Sequence, residues 1–128
     1  MTDEQRKQLC IELDQEAERA AARIRATQPQ PCTKFHNATI TEWIAKLDEE
    51  THEAVQEAVC LSRLVSADDE EDEEEIDAVE DRLALELTDV ITVCTSWLDA
   101  LGYGVTARGN MQRRVNEKNK KRGYFGID

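Results

Sequence analysis

No apolar run approaches the roughly 18 residues needed to cross a bilayer, and this 128-residue chain opens on no charged-then-apolar leader. Neither secretion nor a membrane span is expected. The four cysteines, Cys10, Cys32, Cys60 and Cys94, form no C-x-x-C pair and have no histidine arrangement suited to zinc. They read as reduced, mostly structural thiols, with Cys60 and Cys94 inside apolar helical patterns, and the cytoplasm is the expected compartment. No G-x-x-x-x-G-K-[ST] loop occurs, which excludes motor-type and switch-type nucleotide hydrolases at the level of motif. No cysteine or serine has a placed histidine partner, so no covalent nucleophile is expected. Positive charge is also scarce: 16 Lys and Arg stand against 28 Asp and Glu, a net charge of -12. Such a surface excludes non-specific binding to nucleic acid or anionic membrane, both of which rest on clustered cations.

That acidity is concentrated in one place. Asp68-Asp69-Glu70-Glu71-Asp72-Glu73-Glu74-Glu75 supplies eight of the twelve excess negatives, so the body of the chain is only mildly acidic. Eight adjacent like charges repel and none can be buried, which predicts a solvated turn. Only two prolines occur, Pro29 and Pro31, and they end a first helical pattern over residues 3–27 whose apolar stripe is thin: Leu9, Leu13, Ala17, Ala20 and Ile24. The expected organisation is a single domain, with an N-terminal packing or oligomerising helix and proline-containing linker (1–32) before the main body (33–128).

Two further helical patterns carry the chemistry. In the first, apolar residues recur at Ile40, Ile44, Leu47, Ala54, Ala58 and Leu61. At about 100° per residue, Glu50 stands roughly 60° and Glu53 roughly 120° from Leu47. In the second, which runs Ile76, Val79, Leu83, Leu87, Val90, Cys94, Trp97 and Leu101, Glu86 and Asp89 stand at the same angles from Leu83 in the same sense. Antiparallel packing of the two stripes brings four carboxylates together. At ~4 Å like charges repel by a few kcal/mol per pair near a protein surface, so such a cluster must protonate or hold cations. All-oxygen ligands favour a hard ion, Mg²⁺ or Mn²⁺, over zinc.

Thr39 and Glu42 have the spacing of a capping box, so the first acidic helix is expected to begin near Ile40. Trp43 lies on the acidic side of that helix and reads either as core or as a base-stacking residue. His36 and Asn37, just before the helix, read as loop or as hydrogen-bonding partners of a nucleobase. Past the second acidic helix, Gly102 and Gly104 signal a helix stop and a turn, and Thr106 a cap for the next segment. From Arg108 to Asp128 seven cations face two acids. Lys118, Asn119 and Arg122 share one helical face there, suited to phosphate oxygens, or to plain charge balance or an oligomer contact.

Lys46-Leu47-Asp48-Glu49-Glu50-Thr51-His52-Glu53, then Glu86-Leu87-Thr88-Asp89, then Asn116-Glu117-Lys118-Asn119-Lys120-Lys121-Arg122-Gly123 resemble the MazG-like nucleotide pyrophosphohydrolases. The family's E-E-x-x-E, E-x-x-D and K-N-x-x-R segments occur in order over roughly residues 33 to 125. The gap between the acidic motifs is longer than is usual in the family, and the acidic run fills it. The resemblance implies an all-α, Mg²⁺-dependent enzyme, for which Mn²⁺ is a possible substitute, that cleaves a nucleoside triphosphate to a monophosphate and pyrophosphate. It implies Glu50, Glu53, Glu86 and Asp89 as metal ligands, Glu49 as auxiliary ligand or base, and Lys118, Asn119 and Arg122 on the phosphates.

The expected fold is therefore an all-α bundle with two antiparallel acidic-motif helices, completed as a homodimer or homotetramer because so thin a core gains from oligomerisation. Two other readings compete. A di-iron carboxylate bundle needs two E-x-x-H motifs; Glu49–His52 supplies one, but Asp89 stands where the second histidine belongs. A non-catalytic acidic interaction module leaves the matched phase of the two carboxylate pairs unexplained.

Overall fold

A computed structural model describes residues 1–67 and 73–126, and all its regular elements are helical. The chain divides into two compact units, Met1–Gln30 and Pro31–Asp128, close to the break read at the prolines. The first unit is one helix, α1 (Asp3–Ala26). A reciprocal box starts it: Gln5 N–H donates to Thr2 Oγ1 and Thr2 N–H to Gln5 Oε1. Asp3 and Glu4 lie in its first turn and Arg23 and Arg25 in its last, which suits the helix dipole. None of its residues is buried, and Leu9, Leu13 and Ile24 are exposed.

The second unit holds a short 3-10 turn (Thr33–Phe35), α2 (Ile40–Ser66), α3 (Glu73–Ala100) and α4 (Val105–Lys121). The Thr39–Glu42 capping box forms, and α2 begins at Ile40. Contacts between α2 and α3 run in opposite chain order: Trp43 stacks on Trp97, Glu53 lies beside Glu86, and Arg82 pairs with Glu57. The two helices are thus an antiparallel hairpin.

Its seam follows a strict alternation of threes and fours. On α2 the alternation runs through Trp43, Leu47, Glu50, Ala54, Glu57, Leu61 and Leu64, and on α3 through Ile76, Val79, Leu83, Glu86, Val90, Val93 and Trp97, each of them buried or half-buried. This corrects the expected stripes. Ile40 and Ile44 face out at 65% and 55% exposure, as do Leu87 and Cys94, because each helix carries a second apolar face that one partner cannot cover. Glu50 and Glu86 therefore stand in the seam itself rather than on its flank.

The acidic run also departs from expectation. Glu73, Glu74 and Glu75 form the first turn of α3 instead of a solvated turn, since carboxylates there meet the free N–H groups and positive end of the helix dipole; residues 68–72 lie outside the described residues. At the other end of α3, Gly102 adopts φ +97 and the Tyr103 N–H bonds to the Leu98 carbonyl, a left-handed helix stop. The cap of α4 is Gly104, with no side-chain bond, and Thr106 sits inside the first turn rather than capping it. Among the described residues no helix is long and apolar enough to cross a membrane.

Candidate metal centre

Two seam positions facing each other across the hairpin create the site. Glu50 from α2 and Glu86 and Asp89 from α3 each offer a carboxylate oxygen, and these oxygens lie within 4.8 Å of one another. Glu50 and Glu86 are half-buried, and in each the Oε2 atom is shielded from solvent with no hydrogen-bond partner. Shielded carboxylate oxygens without a donor are costly and require an explanation. Two seam positions further along α2 the contrast is plain: Arg82 Nε donates to both oxygens of Glu57 at 3.3 Å. No comparable cation meets Glu50 or Glu86 among the ion pairs of the described residues.

The electrostatics follow from that isolation. Burial pushes the Glu86 carboxyl above the ordinary 4.5, and Glu53, Asp89 and Glu50 add to the rise, Glu53 also by a hydrogen bond that favours the protonated form. Glu50 is raised by burial first, then by Glu53 and Asp89, with Glu49 adding a little and Lys46 opposing. All four expected ligands thus share one field, although Glu53 stands outside the tightest group of three. Glu49 is exposed beside it. A divalent cation fits this set: the donors are all oxygen, two of them lack any other partner, and a positive charge removes the mutual repulsion. The group contains no histidine, and His52 is exposed.

The expected substrate residues fall in three places. Trp43 is buried at 2% exposure, its ring parallel to that of Trp97 within 6° at a centroid distance of 6.1 Å, so it serves the core while also lining the hollow beside α2. His36 and Asn37 are exposed on the loop before α2. That loop is fastened from behind: the buried Ser96 hydroxyl donates to the Thr92 carbonyl at 2.7 Å and accepts the Cys32 N–H at 2.9 Å. His36 Nδ1 also lies 4.0 Å from Asp99 Oδ2. Asp99 in turn accepts from Arg108 at 3.0 Å, and Arg108 donates to the Tyr103 carbonyl at 2.7 Å, which ties the start of α4 to the end of α3. Lys118 and Arg122 line a shallow groove on α4 with Arg114, Glu117 and Lys121, and Asn119 is half-buried beside them. Among the described residues no hydrogen bond or ion pair joins Lys118, Asn119 or Arg122 to the carboxylates.

Two residues near the centre escaped the sequence reading, Lys46 and Phe35. The signal for Lys46 was available, since it stands one helical turn before Glu50. No family model, no curated protein and no solved structure matches the chain.

Proposed function

We propose that this chain is a Mg²⁺-dependent nucleoside triphosphate pyrophosphohydrolase of the MazG-like kind, acting on the cytoplasmic nucleotide pool. The observation that carries the reading is the pair of facing seam carboxylates, Glu50 and Glu86, each with a shielded oxygen left without a partner, with Asp89 in reach of both. The ordered motif resemblance supplies the substrate class. Glu50, Glu53, Glu86 and Asp89 hold Mg²⁺, with Mn²⁺ as the substitute. When bound, such an ion would supply neutralisation of the charge that builds on the phosphates and activation of water. Glu49, exposed and next to Glu50 in the chain, takes the proton from the attacking water. Lys118 and Arg122 hold the phosphate chain in line, with Asn119 beside them.

The chain works as a homo-oligomer in this reading. Ile44, Val55, Val59, Leu87 and Ile91 are each at least 42% exposed on the hairpin, and a second copy covers them.

Pyrophosphate release assayed across the ribo- and deoxyribonucleoside triphosphates with Mg²⁺ tests the reading. At least one nucleotide is expected to yield monophosphate and pyrophosphate in equal amounts, and no such product from any of them rejects it. Asp89→Asn is expected to abolish turnover beyond rescue by substrate, whereas Arg122→Ala raises KM roughly tenfold, the loss of one charge-assisted contact, and keeps Mg²⁺ affinity.

A further inference from the structure

Lys46 occupies an unusual position for a lysine on an acidic helix. Helical spacing gives it three carboxylate neighbours, Glu42 one turn before and Glu49 and Glu50 one turn after, and any of them suits an ordinary surface ion pair. Among the described residues it pairs with none of them. Glu42 is engaged elsewhere, its side chain accepting the Thr39 N–H in the capping box. The Lys46 ammonium instead rests 4.8 Å from the centroid of the Phe35 ring, within cation–π range. The contact holds a half-buried lysine in a hollow that Phe35, Ala38, Trp43 and Glu49 also line.

We propose that Lys46 is a phosphate-binding residue of the site, a cation held by Phe35 within reach of the carboxylate cluster so that it contacts the polyphosphate of a bound nucleotide. It lies outside the late basic segment that carries Lys118 and Arg122. The inference rests on the metal-centre reading, because a polyphosphate comes to an acidic cluster only with a divalent ion between them. Two consequences have opposite sign. Removing the Lys46 charge weakens binding of a polyphosphate, since an ammonium–phosphate contact is lost. The same removal strengthens binding of Mg²⁺ alone, since a positive charge no longer opposes the ion one turn from Glu50. A purely structural lysine leaves polyphosphate binding unchanged, so that binding is the quantity that decides.

The test uses calorimetry on the full chain with two probes, Mg²⁺ alone and inorganic tripolyphosphate in saturating Mg²⁺, which removes any dependence on the base. Lys46→Met keeps the apolar stem against Phe35 and is expected to weaken tripolyphosphate binding roughly tenfold, the loss of one charge-assisted contact, while Mg²⁺ affinity rises. Lys46→Arg restores most of the loss. Lys34→Met, which removes the other ammonium over the same ring at 5.7 Å, keeps parental affinity. Parental tripolyphosphate affinity in Lys46→Met, an equal loss in Lys34→Met, or no tripolyphosphate binding by the parent overturns the assignment. Should every nucleoside triphosphate resist cleavage while tripolyphosphate binding still depends on Lys46, the pyrophosphohydrolase reading fails and the Lys46 assignment stands.

Discussion

A carboxylate at a seam position is an unfavourable choice unless something answers it, and α2 supplies both outcomes. Glu57 is answered by Arg82 and Glu50 is not. Because burial and neighbouring acids raise the Glu50 and Glu86 carboxyls above 4.5, the folded chain binds protons more tightly there than the unfolded chain does. Stability from these two groups is therefore fully present below the ordinary carboxylate range and is lost as pH rises from 4.5 through their raised values. Without divalent ions, Glu86→Gln is expected to raise the melting temperature at neutral pH by a few degrees, since an amide carries no charge to bury or repel. The same variant loses most of the stabilisation that Mg²⁺ gives the parent. Thermal unfolding with and without Mg²⁺ measures both changes, and a parental response to Mg²⁺ removes Glu86 from the ligand set. Glu53→Gln extends the comparison: it reduces the Mg²⁺ gain if Glu53, outside the tight group of three, still reaches the ion.

At the scale of the helices, the ends were easier to read than the faces. Thr39 with Glu42 announces the start of α2 through a local hydrogen-bond exchange, and Gly102 announces the end of α3 through a backbone angle that other residues resist. Both signals need only near neighbours in the chain. Gly102→Ala is accordingly expected to cost about 1 kcal/mol by denaturant unfolding, with no steric clash involved, because the space around it is open and only the φ of +97 is strained. Which face of α2 meets α3 is not a local matter. Ile40 and Ile44 compete with Trp43 and Leu47 for the buried side, and averaging over all of them rotates the expected stripe away from Glu50. The heptad running from Trp43 to Leu64 removes the ambiguity, but only once α3 shows which alternation it matches. The first turn of α3 was misread for a related reason: Glu73 to Glu75 repel one another, yet a helix start stabilises them, and the sign of the balance depends on where the helix begins. The candidate ligands were legible because their i, i+3 spacing is a property of any helix. Lys46 was not singled out, since its contact with Phe35 depends on how the preceding loop turns back.

For the main body as a whole, the core is small. Among the described residues the buried hydrophobic side chains are Trp43, Ala54, Val79 and Val93, far fewer than a unit of this length needs to offset its ordering entropy. The missing burial is visible on the outside of the same two helices, where Ile44 at 55%, Val55 at 57%, Leu87 at 50% and Ile91 at 52% remain in water. Burying such side chains is worth roughly 1.5–3 kcal/mol each when complete, so covering several of them in a second copy changes the balance of the fold. Under the proposed assembly, association and folding are one equilibrium, and the melting temperature should rise with protein concentration. Leu87→Glu places a charge on that face without touching the seam, where Glu86 and Leu83 stay in place. The variant is expected to shift sedimentation toward the monomer and to melt at lower temperature with no remaining concentration dependence, while the parent sediments as a dimer or larger. A parent that sediments as a monomer with a concentration-independent melt rejects the assembly. If Leu87→Glu instead assembles as the parent does, the covered face lies elsewhere, and the corresponding change at Ile44 on α2 distinguishes the two helices.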